Sequence, residues 1–451
     1  MNFKIKEIVT ELNSLEIYNV FESEKGTILL DSSKEDKMLS KFSFIGLNEF
    51  LRFESKGDKV FIDNKEIQGN PFCVLEGLLN KYKISFKEYK DIPFLSGCIG
   101  YISYDTARIL EELPNTSKED FNIPDMRFSF YDNLVIFDLI NNKKYITSLG
   151  LKESSEKSLK KIEDRIKAGV KIEEEKVVCK NNNFQSNFTK EDYKKAVKTL
   201  KDYIISGDVY IANMTQRFCC ECKEDAFNVY KKLRTINKAP FSAFVNYEDF
   251  QIISSSPERF IQIKDNKVHT RPIKGTRPRG ENKKEDYKNS QELLNSEKDK
   301  AELLMVVDLE RNDLSKVCKN HSVKVTELFK LEKYATVFHL VSTVEGELKD
   351  DISAVKCIKE CFPGGSITGT PKIRAMEIIE ELEGLKRNLY TGSIGYFDLR
   401  GNSDFNIVIR TILKKDNKAY FGVGGGITYD SIEEDEYNET LDKAKALMRV
   451  L

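Results

Sequence analysis

The chain has 451 residues, 40% of them hydrophobic, so it can bury a sizeable core in two or three average domains or in one large unit. Its 72 basic and 73 acidic residues nearly cancel, and the net charge of −1 excludes a chain-wide surface for nucleic acid. No apolar run approaches the length of a membrane span, and the charged start of the chain shows no signal peptide. The 9 cysteines have no paired spacing, which predicts reduced thiols in a cytoplasmic protein.

Residues 1–150 predict a first region of mixed strands and helices. Its predicted elements are strands at Thr27–Asp31, Phe42–Gly46, Gly97–Asp105 and Phe128–Ile140, a hairpin at Val60–Ile67 and a helix at Phe72–Tyr82. Lys and Glu then dominate residues 151–187, which predicts a charged linker that contains a solvated helix over Lys152–Ala168. This linker is the predicted boundary between the two regions of the chain.

Residues 188–451 predict a second region, in which Thr189 caps the first helix and Asp192 occupies the capping-box position. The predicted helices are Thr189–Ser206, Ala226–Asn237, Lys284–Asp308, Pro371–Leu382 and Glu433–Val450. The predicted strands include Val209–Phe218, Gln251–Phe260, His339–Glu345, Thr391–Leu399, Phe405–Leu413 and Lys418–Val423. Consecutive hairpins favour antiparallel sheets with helices on one face over a doubly wound parallel fold.

The stretch Arg271–Gly280 places four cations within ten residues. Among them, Lys274 stands between Ile273 and Gly275, after residues with the pattern of paired strands. A lysine at the end of an apolar strand is partly desolvated, which favours the neutral amine and makes it available as a nucleophile. A basic surface loop is the alternative interpretation of this stretch.

Two pairs of carboxylates lie three residues apart on predicted helices, Asp299 with Glu302 and Glu436 with Glu439. Lys443 continues the face of the second pair. Hard oxygen ligands from two helices are suited to Mg²⁺, which keeps positions free for substrate and water. Ordinary solvated helix faces are the alternative interpretation.

Four further features suggest an anion site and proton transfer. The Gly-rich loop Pro363–Pro371 leads into a helix, whose free backbone amides can bind a carboxylate, although a simple helix cap is the alternative. Arg410 lies inside a predicted strand, where it pairs with a carboxylate or awaits an anionic ligand. Glu258 directly follows a strand and can act as a general acid. His339 is similar to Arg410 in its strand position, and a satisfied core histidine is the alternative interpretation.

Several long motifs in fixed order resemble the chorismate-utilising enzymes over about residues 189–449. These motifs are Thr270–Gly280, Met305–Leu314, Phe362–Ile379 and Gly424–Leu441. Residues 1–145, with Leu29–Ser32 and Phe42–Gly46, are similar to the N-terminal region of the same family. The resemblance implies an α+β fold of two packed antiparallel sheets with helices on the outside, in which the N-terminal region is part of the same body.

Within the family, the sequence is most similar to the aminodeoxychorismate synthases. Lys274 stands where anthranilate synthases usually have alanine, and Asn213–Phe218 and Gly424–Thr428 resemble the aminodeoxychorismate versions of those segments. Ile211 occupies a position where ammonia-using relatives often have Gln and water-using relatives Lys, so its identity argues against an isochorismate synthase. Anthranilate synthase component I is the first alternative. The second is a non-catalytic homologue that binds only an amino acid or a partner, against which the complete set of catalytic and metal candidates argues.

The resemblance implies a role for each candidate residue. Lys274 would be the nucleophile and Glu258 the general acid and base. Glu302 and Glu439 would bind Mg²⁺, with Asp299 and Glu436 in support. Chorismate would be bound by Arg410, Tyr390, Lys443 and the backbone at Gly364, Ser366, Gly424 and Gly425, with Thr276 and His339 lining the pocket.

The resemblance also implies partners. Ammonia would come from a separate glutamine amidotransferase subunit, and the product would lead to p-aminobenzoate and folate. Related N-terminal regions hold tryptophan near the motif that corresponds to Leu30, Asp31 and Ser32.

Overall fold

In the computed structural model of the chain, the described residues are 2–33, 39–172, 182–333 and 337–451. Part of the predicted charged linker, residues 173–181, therefore lies outside them. Within these ranges, no helix is both long and apolar enough to cross a bilayer.

The described residues between 2 and 172 contain eight strands and four α-helices, the last of which lies in the linker. The strands are β1 (Lys4–Ile8), β2 (Ile28–Asp31), β3 (Phe42–Lys56), β4 (Lys59–Ile62), β5 (Lys65–Ile67), β6 (Gly97–Ile102), β7 (Met126–Asp138) and β8 (Lys143–Ser148). The helices are α1 (Ser14–Phe21), α2 (Pro71–Lys81), α3 (Ala107–Leu110) and α4 (Ser155–Lys167).

The remaining described residues form the other strands and helices. The strands are β9 (Gln185–Ser186), β10 (Ile211–Glu221), β11 (Phe241–Asn246), β12 (Gln251–Ser256), β13 (Arg259–Lys264), β14 (Lys267–Arg271), β15 (Ile273–Pro278), β16 (Lys324–Lys333), β17 (Val337–Glu347), β18 (Gly369–Thr370), β19 (Ser393–Asp398), β20 (Ser403–Asn406), β21 (Thr411–Lys415) and β22 (Lys418–Ile427). The helices are α5 (Lys190–Ile205), α6 (Ala226–Ile236), α7 (Lys283–Asn295), α8 (Glu297–Val317), α9 (Ala354–Cys361), α10 (Lys372–Glu383) and α11 (Glu433–Val450).

The strands of the two regions are interleaved. Strand β2 pairs with β3 on one side and with β11 on the other, and β6 lies between β7 and β19. Every pairing between named strands in the described ranges is antiparallel, and these pairings join the strands into one network. The predicted α+β class and the inclusion of the N-terminal region in the same body are therefore confirmed.

Helices α8 and α11 place the acidic pairs that the sequence singled out. Ser296 caps α8 by accepting a hydrogen bond from the backbone of Asp299. The buried face of α8, which includes Leu303, Val307 and Leu314, packs against β15 and β17. Helix α11 packs against β22 and α5. Burial of one face fixes each helix, so its acidic residues occupy defined positions.

Three predicted elements are wrong in detail. The strand predicted over Gln251–Phe260 is two strands, because β12 ends at Ser256 before Pro257 and β13 begins at Arg259. The single helix predicted over Lys284–Asp308 is two helices, because Ser296 ends α7 and its side chain caps α8. The strand predicted over Phe405–Leu413 is interrupted between β20 and β21, and Arg410 there has a φ of 52°. The backbone of this break bonds to distant segments, since the Ile407 amide donates to Glu258 and the Arg410 carbonyl accepts from Ser255.

A buried ion pair between Arg387 and Glu383 supports the loop that precedes β18. Only 2% of the Arg387 side chain and 4% of the Glu383 side chain are exposed. Arg387 also donates to the carbonyl oxygens of Ile367, at 2.8 Å, and Asn213, at 2.6 Å. We expect Arg387→Met to lower the free energy of unfolding by about 3–5 kcal/mol, because it leaves the Glu383 carboxylate buried without its cation.

Urea denaturation would measure this change. Arg311→Met is the matched control, because Arg311 forms an exposed pair with Asp308, and such pairs contribute about 1 kcal/mol or less. An equal decrease in the free energy of unfolding in Arg387→Met and Arg311→Met would contradict a structural role for the buried pair.

Candidate active site

Lys274 lies in strand β15, whose partner is β17, and its amine points to the loop before β18. Nζ donates a hydrogen bond to the carbonyl oxygen of Ser366 at 3.2 Å. The register of β15 shifts between Lys274 and Thr276, at Gly275, which has a φ of 75°. A Cβ on Gly275 would lie 2.9 Å from Oδ1 of Asp299. Glycine is therefore required to bring Lys274 and α8 together.

The neighbouring cations of the basic stretch are neutralised by carboxylates. The pairs are Arg271 with Glu327 and Glu332, Arg277 with Glu292 and Asp299, and Arg279 with Asp286. Among the described residues, no carboxylate lies within ion-pair distance of Lys274. The stretch is thus a strand rather than a surface loop, and its partly buried amine differs from the paired guanidinium groups around it.

Glu258 follows β12 and is 6% exposed. Its Oε1 is buried and has no hydrogen-bond partner among the described residues. Burial raises the pKa of Glu258 above the ordinary value, although a hydrogen bond with Ser366 and the charge of Lys274 act in the opposite direction. Ser366 therefore contacts both predicted catalytic residues, and Glu258 keeps its proton to a higher pH than an exposed glutamate would.

The predicted metal ligands Glu302, Glu436 and Glu439 influence one another electrostatically. Burial raises the pKa of Glu302 and of Glu436, and the charge of Glu439 adds to the rise at Glu436. Burial also opposes ionisation of Glu439, but the ammonium of Lys443 lowers the pKa of Glu439 overall. The fourth candidate, Asp299, pairs with Arg277 at 3.1 Å. Within the described ranges, no three acidic, His or Cys side chains form a ready-made metal cluster.

The Gly-rich end of β22 lies against these carboxylates. A Cβ on Gly425 would be 3.3 Å from Oε2 of Glu436 and 3.3 Å from Oε1 of Glu439. Lys443 donates to the carbonyl oxygen of Gly424 at 2.8 Å and pairs with Glu439 at 2.5 Å. The absence of side chains at Gly424 and Gly425 therefore lets the strand lie close to the carboxylates of α11.

Arg410 and Tyr390 form a second part of the site. The guanidinium of Arg410 has no hydrogen bond or ion pair with any residue in the described part of the chain, and burial lowers its pKa. The charges of Tyr390 and Glu439 act on it from nearby. Burial raises the pKa of Tyr390, so its hydroxyl stays a hydrogen-bond donor at neutral pH. A part-buried cation without a carboxylate partner is suited to an anionic ligand.

The remaining predicted residues lie on β15, β17 and the Gly-rich loop. Thr276 and His339 are 2.9 Å apart across the β15–β17 pair, where Thr276 is exposed. Gly364 packs tightly, since a Cβ there would lie 2.8 Å from Cδ1 of Ile407. Ile211, at the start of β10, lies close to Gly426, where a Cβ would be 3.0 Å from Ile211 and 3.5 Å from Nζ of Lys274.

Leu30, Asp31 and Ser32 lie apart from this site. They line a cavity of about 590 Å³ that none of the predicted catalytic or metal residues lines. Asp31 is held by Arg234 at 2.6 Å and by Tyr230 at 3.1 Å. On the other side of the cavity, burial and the charge of Arg259 lower the pKa of His269 to about 3.

Two residues beside the site were missed by the sequence analysis. Glu310 on α8 is buried and accepts a hydrogen bond from Thr270 at 2.9 Å, and burial raises its pKa well above the ordinary value. Lys372 begins α10 and donates to Asp313 on α8. Glu310 lies on an apolar helix face and Lys372 lies at the start of a helix, and both positions are unfavourable for these charges. These unfavourable positions could have identified the two residues from the sequence.

Comparisons with known proteins identify the family. A sequence model for the chorismate binding enzymes matches residues 26–449. Anthranilate synthase component 1 of Acetivibrio thermocellus is 37% identical over 457 residues, which cover 97% of this chain and 92% of that relative. Aminodeoxychorismate synthase component 1 of Escherichia coli K12 is also 37% identical, over 428 residues that cover 94% of this chain and 93% of that relative.

A solved structure of a related protein has the same fold as this chain. Anthranilate synthase component I of Streptococcus pneumoniae has a TM-score of 0.82 and 31% identity, and the match covers 92% of this chain and 93% of that one. The match includes the N-terminal region, so the resemblance found in the sequence is confirmed over nearly the whole chain. The chain belongs to the family of chorismate-binding enzymes.

Proposed function

We propose that this chorismate-utilising enzyme is an aminodeoxychorismate synthase component I, which converts chorismate and ammonia to 4-amino-4-deoxychorismate. The main observation in support of the proposal is that Lys274 and Glu258 both contact Ser366 and therefore lie next to each other. The lysine amine has no carboxylate partner among the described residues, and the carboxyl group beside it favours its protonated form. A nucleophile next to an acid is suited to displacing a hydroxyl group.

The proposed reaction has two displacements. The Lys274 amine adds to C2 of chorismate, the ring double bonds shift, and the 4-hydroxyl leaves as water after Glu258 gives it a proton. Ammonia then attacks C4, the double bonds shift back, and the bond between Lys274 and C2 breaks. The lysine amine and the Glu258 carboxyl are thereby returned to their starting states after the remaining proton is transferred.

Chorismate is a dianion, and the site offers groups suited to its carboxylates. Arg410, Tyr390 and Lys443 provide two cations and a hydroxyl donor. The backbone at Gly364, Ser366, Gly424 and Gly425 is proposed to add further contacts, and Thr276 and His339 to line the pocket. Charge-assisted hydrogen bonds to the two carboxylates would fix the ring relative to Lys274.

The acidic residues fit Mg²⁺. Glu302, Glu436 and Glu439 offer hard oxygen ligands, and burial raises the pKa of Glu302 and Glu436 although nearby lysines act in the opposite direction. Mg²⁺ usually takes one or two protein carboxylates and completes its shell with substrate and water, so a closed protein cluster is not required. We propose that Glu302 and Glu439 bind the metal, with Asp299 and Glu436 in support. The bound metal would supply positive charge for a substrate carboxylate.

Removal of divalent cations is expected to stop chorismate consumption, and added Mg²⁺ to restore it. Glu302→Gln is expected to raise the Mg²⁺ concentration for half-maximal rate by about tenfold or more, because it removes a charged ligand. Titration calorimetry of Mg²⁺ with each protein would measure the binding directly. Glu297→Gln is the control, since Glu297 is 88% exposed on the same helix. Unchanged Mg²⁺ binding in Glu302→Gln would contradict this ligand assignment.

Anthranilate synthase component I is the second candidate function, favoured by the 37% identity of the Acetivibrio relative. Lys274 is the residue that favours aminodeoxychorismate synthase instead. Ammonia would be supplied in either case by a glutamine amidotransferase subunit. The role of the cavity at Leu30, Asp31 and Ser32 as a tryptophan site stays a prediction in both cases.

Incubation of the purified chain with chorismate, Mg²⁺ and ammonium at alkaline pH would separate the two functions. Aminodeoxychorismate, identified by mass and converted to p-aminobenzoate by an added lyase, is the expected product. Fluorescent anthranilate together with pyruvate would instead place the chain among the anthranilate synthases. Tryptophan binding without any consumption of chorismate would contradict both.

A further inference from the structure

The position of one loop determines where the Lys274 amine is held. Residues 361–368 contain Ser366, whose carbonyl oxygen accepts the hydrogen bond from Lys274. The loop lies directly on helix α8, because a Cβ on Gly365 would be 2.9 Å from Cδ2 of Leu309. A displacement of this loop would therefore move an acceptor of the proposed nucleophile.

Lys372 holds the beginning of the loop. Its Nζ donates to the carbonyl oxygens of Cys361, at 3.0 Å, and Pro363, at 2.8 Å, and to Oδ2 of Asp313, at 2.5 Å. The Lys372 side chain is 14% exposed. An ammonium has three N–H donors, so these acceptors satisfy it completely. The contacts join α8, the loop and α10 at one point.

The physics of helix ends does not explain a lysine at this position. Lys372 is the first residue of α10, and the first turn of this helix contains no acidic residue. The amino end of a helix carries partial positive charge, which favours acidic residues there. Arg374 in the same turn is balanced by Asp208 and Glu377 near the surface. The contacts of Lys372 with the loop, rather than the helix, account for its charge.

The far end of the loop is held by other residues. Arg387 donates to the Ile367 carbonyl oxygen at 2.8 Å, and the Asn213 amide donates to the Thr368 carbonyl oxygen at 2.8 Å. Ser366 lies between this anchor and the one at Lys372. Loss of Lys372 would free one end of the loop while the other end stays attached.

We propose that Lys372 is a positioning residue that fixes the Ser366 carbonyl, and through it the amine of Lys274, for attack on the substrate. The inference rests on the proposed function, because it requires Lys274 to be the nucleophile. Gly364 and Ser366 belong to this loop and are proposed to contact chorismate through their backbone. Loss of Lys372 is therefore expected to affect the chemical step, through Lys274, and substrate binding as well.

Lys372→Met is expected to lower kcat at saturating chorismate by about 30- to 100-fold, since small misplacement of a reacting group has effects of this size. KM is expected to rise as well, because the backbone of Gly364 and Ser366 lies in the same loop. The variant is expected to fold, because Asp313 keeps a second partner in Lys316 at 3.2 Å. Consumption of chorismate, followed by absorbance, is the appropriate readout because it does not depend on which product forms. Lys359→Met on α9 is the control, since Lys359 is 40% exposed and is expected to leave kcat unchanged.

The double variant Lys372→Met, Asp313→Asn separates positioning from stability. It removes the carboxylate charge that the single variant leaves behind, so Tm is expected to return toward the wild-type value while kcat stays low. Lys372→Arg, which can donate to the same acceptors, is expected to recover part of kcat. Recovery of both Tm and kcat in the double variant would overturn the proposal, as would its failure to fold, because Lys372 would then be a structural residue.

Two outcomes distinguish the proposals from each other. A wild-type chain that consumes no chorismate overturns the proposed function and with it the role of Lys372. If the wild-type chain consumes chorismate and Lys372→Met has the same kcat, only the positioning role is overturned and the proposed function is unaffected.

Discussion

Replacing Lys274 with alanine is expected to lower kcat/KM for aminodeoxychorismate formation by at least about a thousandfold. The variant keeps the groups that bind chorismate but loses the amine that forms the covalent intermediate, so substrate binding survives and the chemical path does not. The change is also expected to be tolerated by the fold, because within the described residues the amine makes one hydrogen bond, to the Ser366 carbonyl oxygen. The products should be separated and identified by mass at saturating ammonium.

Lys267→Ala is the matched control, because Lys267 is an exposed lysine at the start of the neighbouring strand β14. Its activity should equal that of the unaltered chain. A shift of the Lys274→Ala product to anthranilate would show that the lysine directs the outcome of the reaction. Undiminished formation of aminodeoxychorismate would rule out the covalent role.

Replacing Glu258 with glutamine is expected to lower kcat by about 10²- to 10⁴-fold, the usual contribution of a general acid. The amide has the shape of the carboxyl group but cannot give a proton to the leaving hydroxyl. Burial raises the pKa of Glu258, so in the unaltered chain the protonated acid is fully present at low pH and is lost as pH rises through that raised value. The rate of hydroxyl loss should follow the same course.

Single-turnover rates across a range of pH would measure this dependence. In Glu258→Gln the rate should be low, and the part of the pH–rate profile that reports ionisation of Glu258 should be absent. Glu248→Gln, at a half-exposed position, is the control for the loss of one carboxylate. A Glu258→Gln variant with an unchanged pH profile would show that the proton comes from another group.

Local sequence patterns identified much of the fold and of the candidate site. The cap at Thr189 and the hairpins after Thr391 gave elements close to those observed, because caps and turns depend on neighbouring residues. Lys274, Glu258 and the acidic pairs on α8 and α11 lie in contiguous motifs, so the residues themselves were visible before their arrangement was known.

The features that escaped prediction depend on contacts between distant segments. Arg410 was placed inside a strand because its neighbours are apolar, yet the backbone there bonds to Glu258 and Ser255. Lys372 and Glu310 are marked in the sequence by unfavourable positions in their helices, but their roles depend on partners in the loop before β18 and on β14. Tertiary hydrogen bonds of this kind override local propensity.

The position of β6 between β7 and β19 has a consequence for synthesis of the protein. During translation, β6 and β7 are complete long before residues 393–398 leave the ribosome, so one edge of β6 waits without its partner. An open apolar edge pairs readily with other chains, and the interval before its partner arrives is the period of greatest aggregation risk. Expression yield should therefore depend on chaperones and temperature more than the finished fold would suggest, and a chain shortened before β19 would keep that edge open permanently.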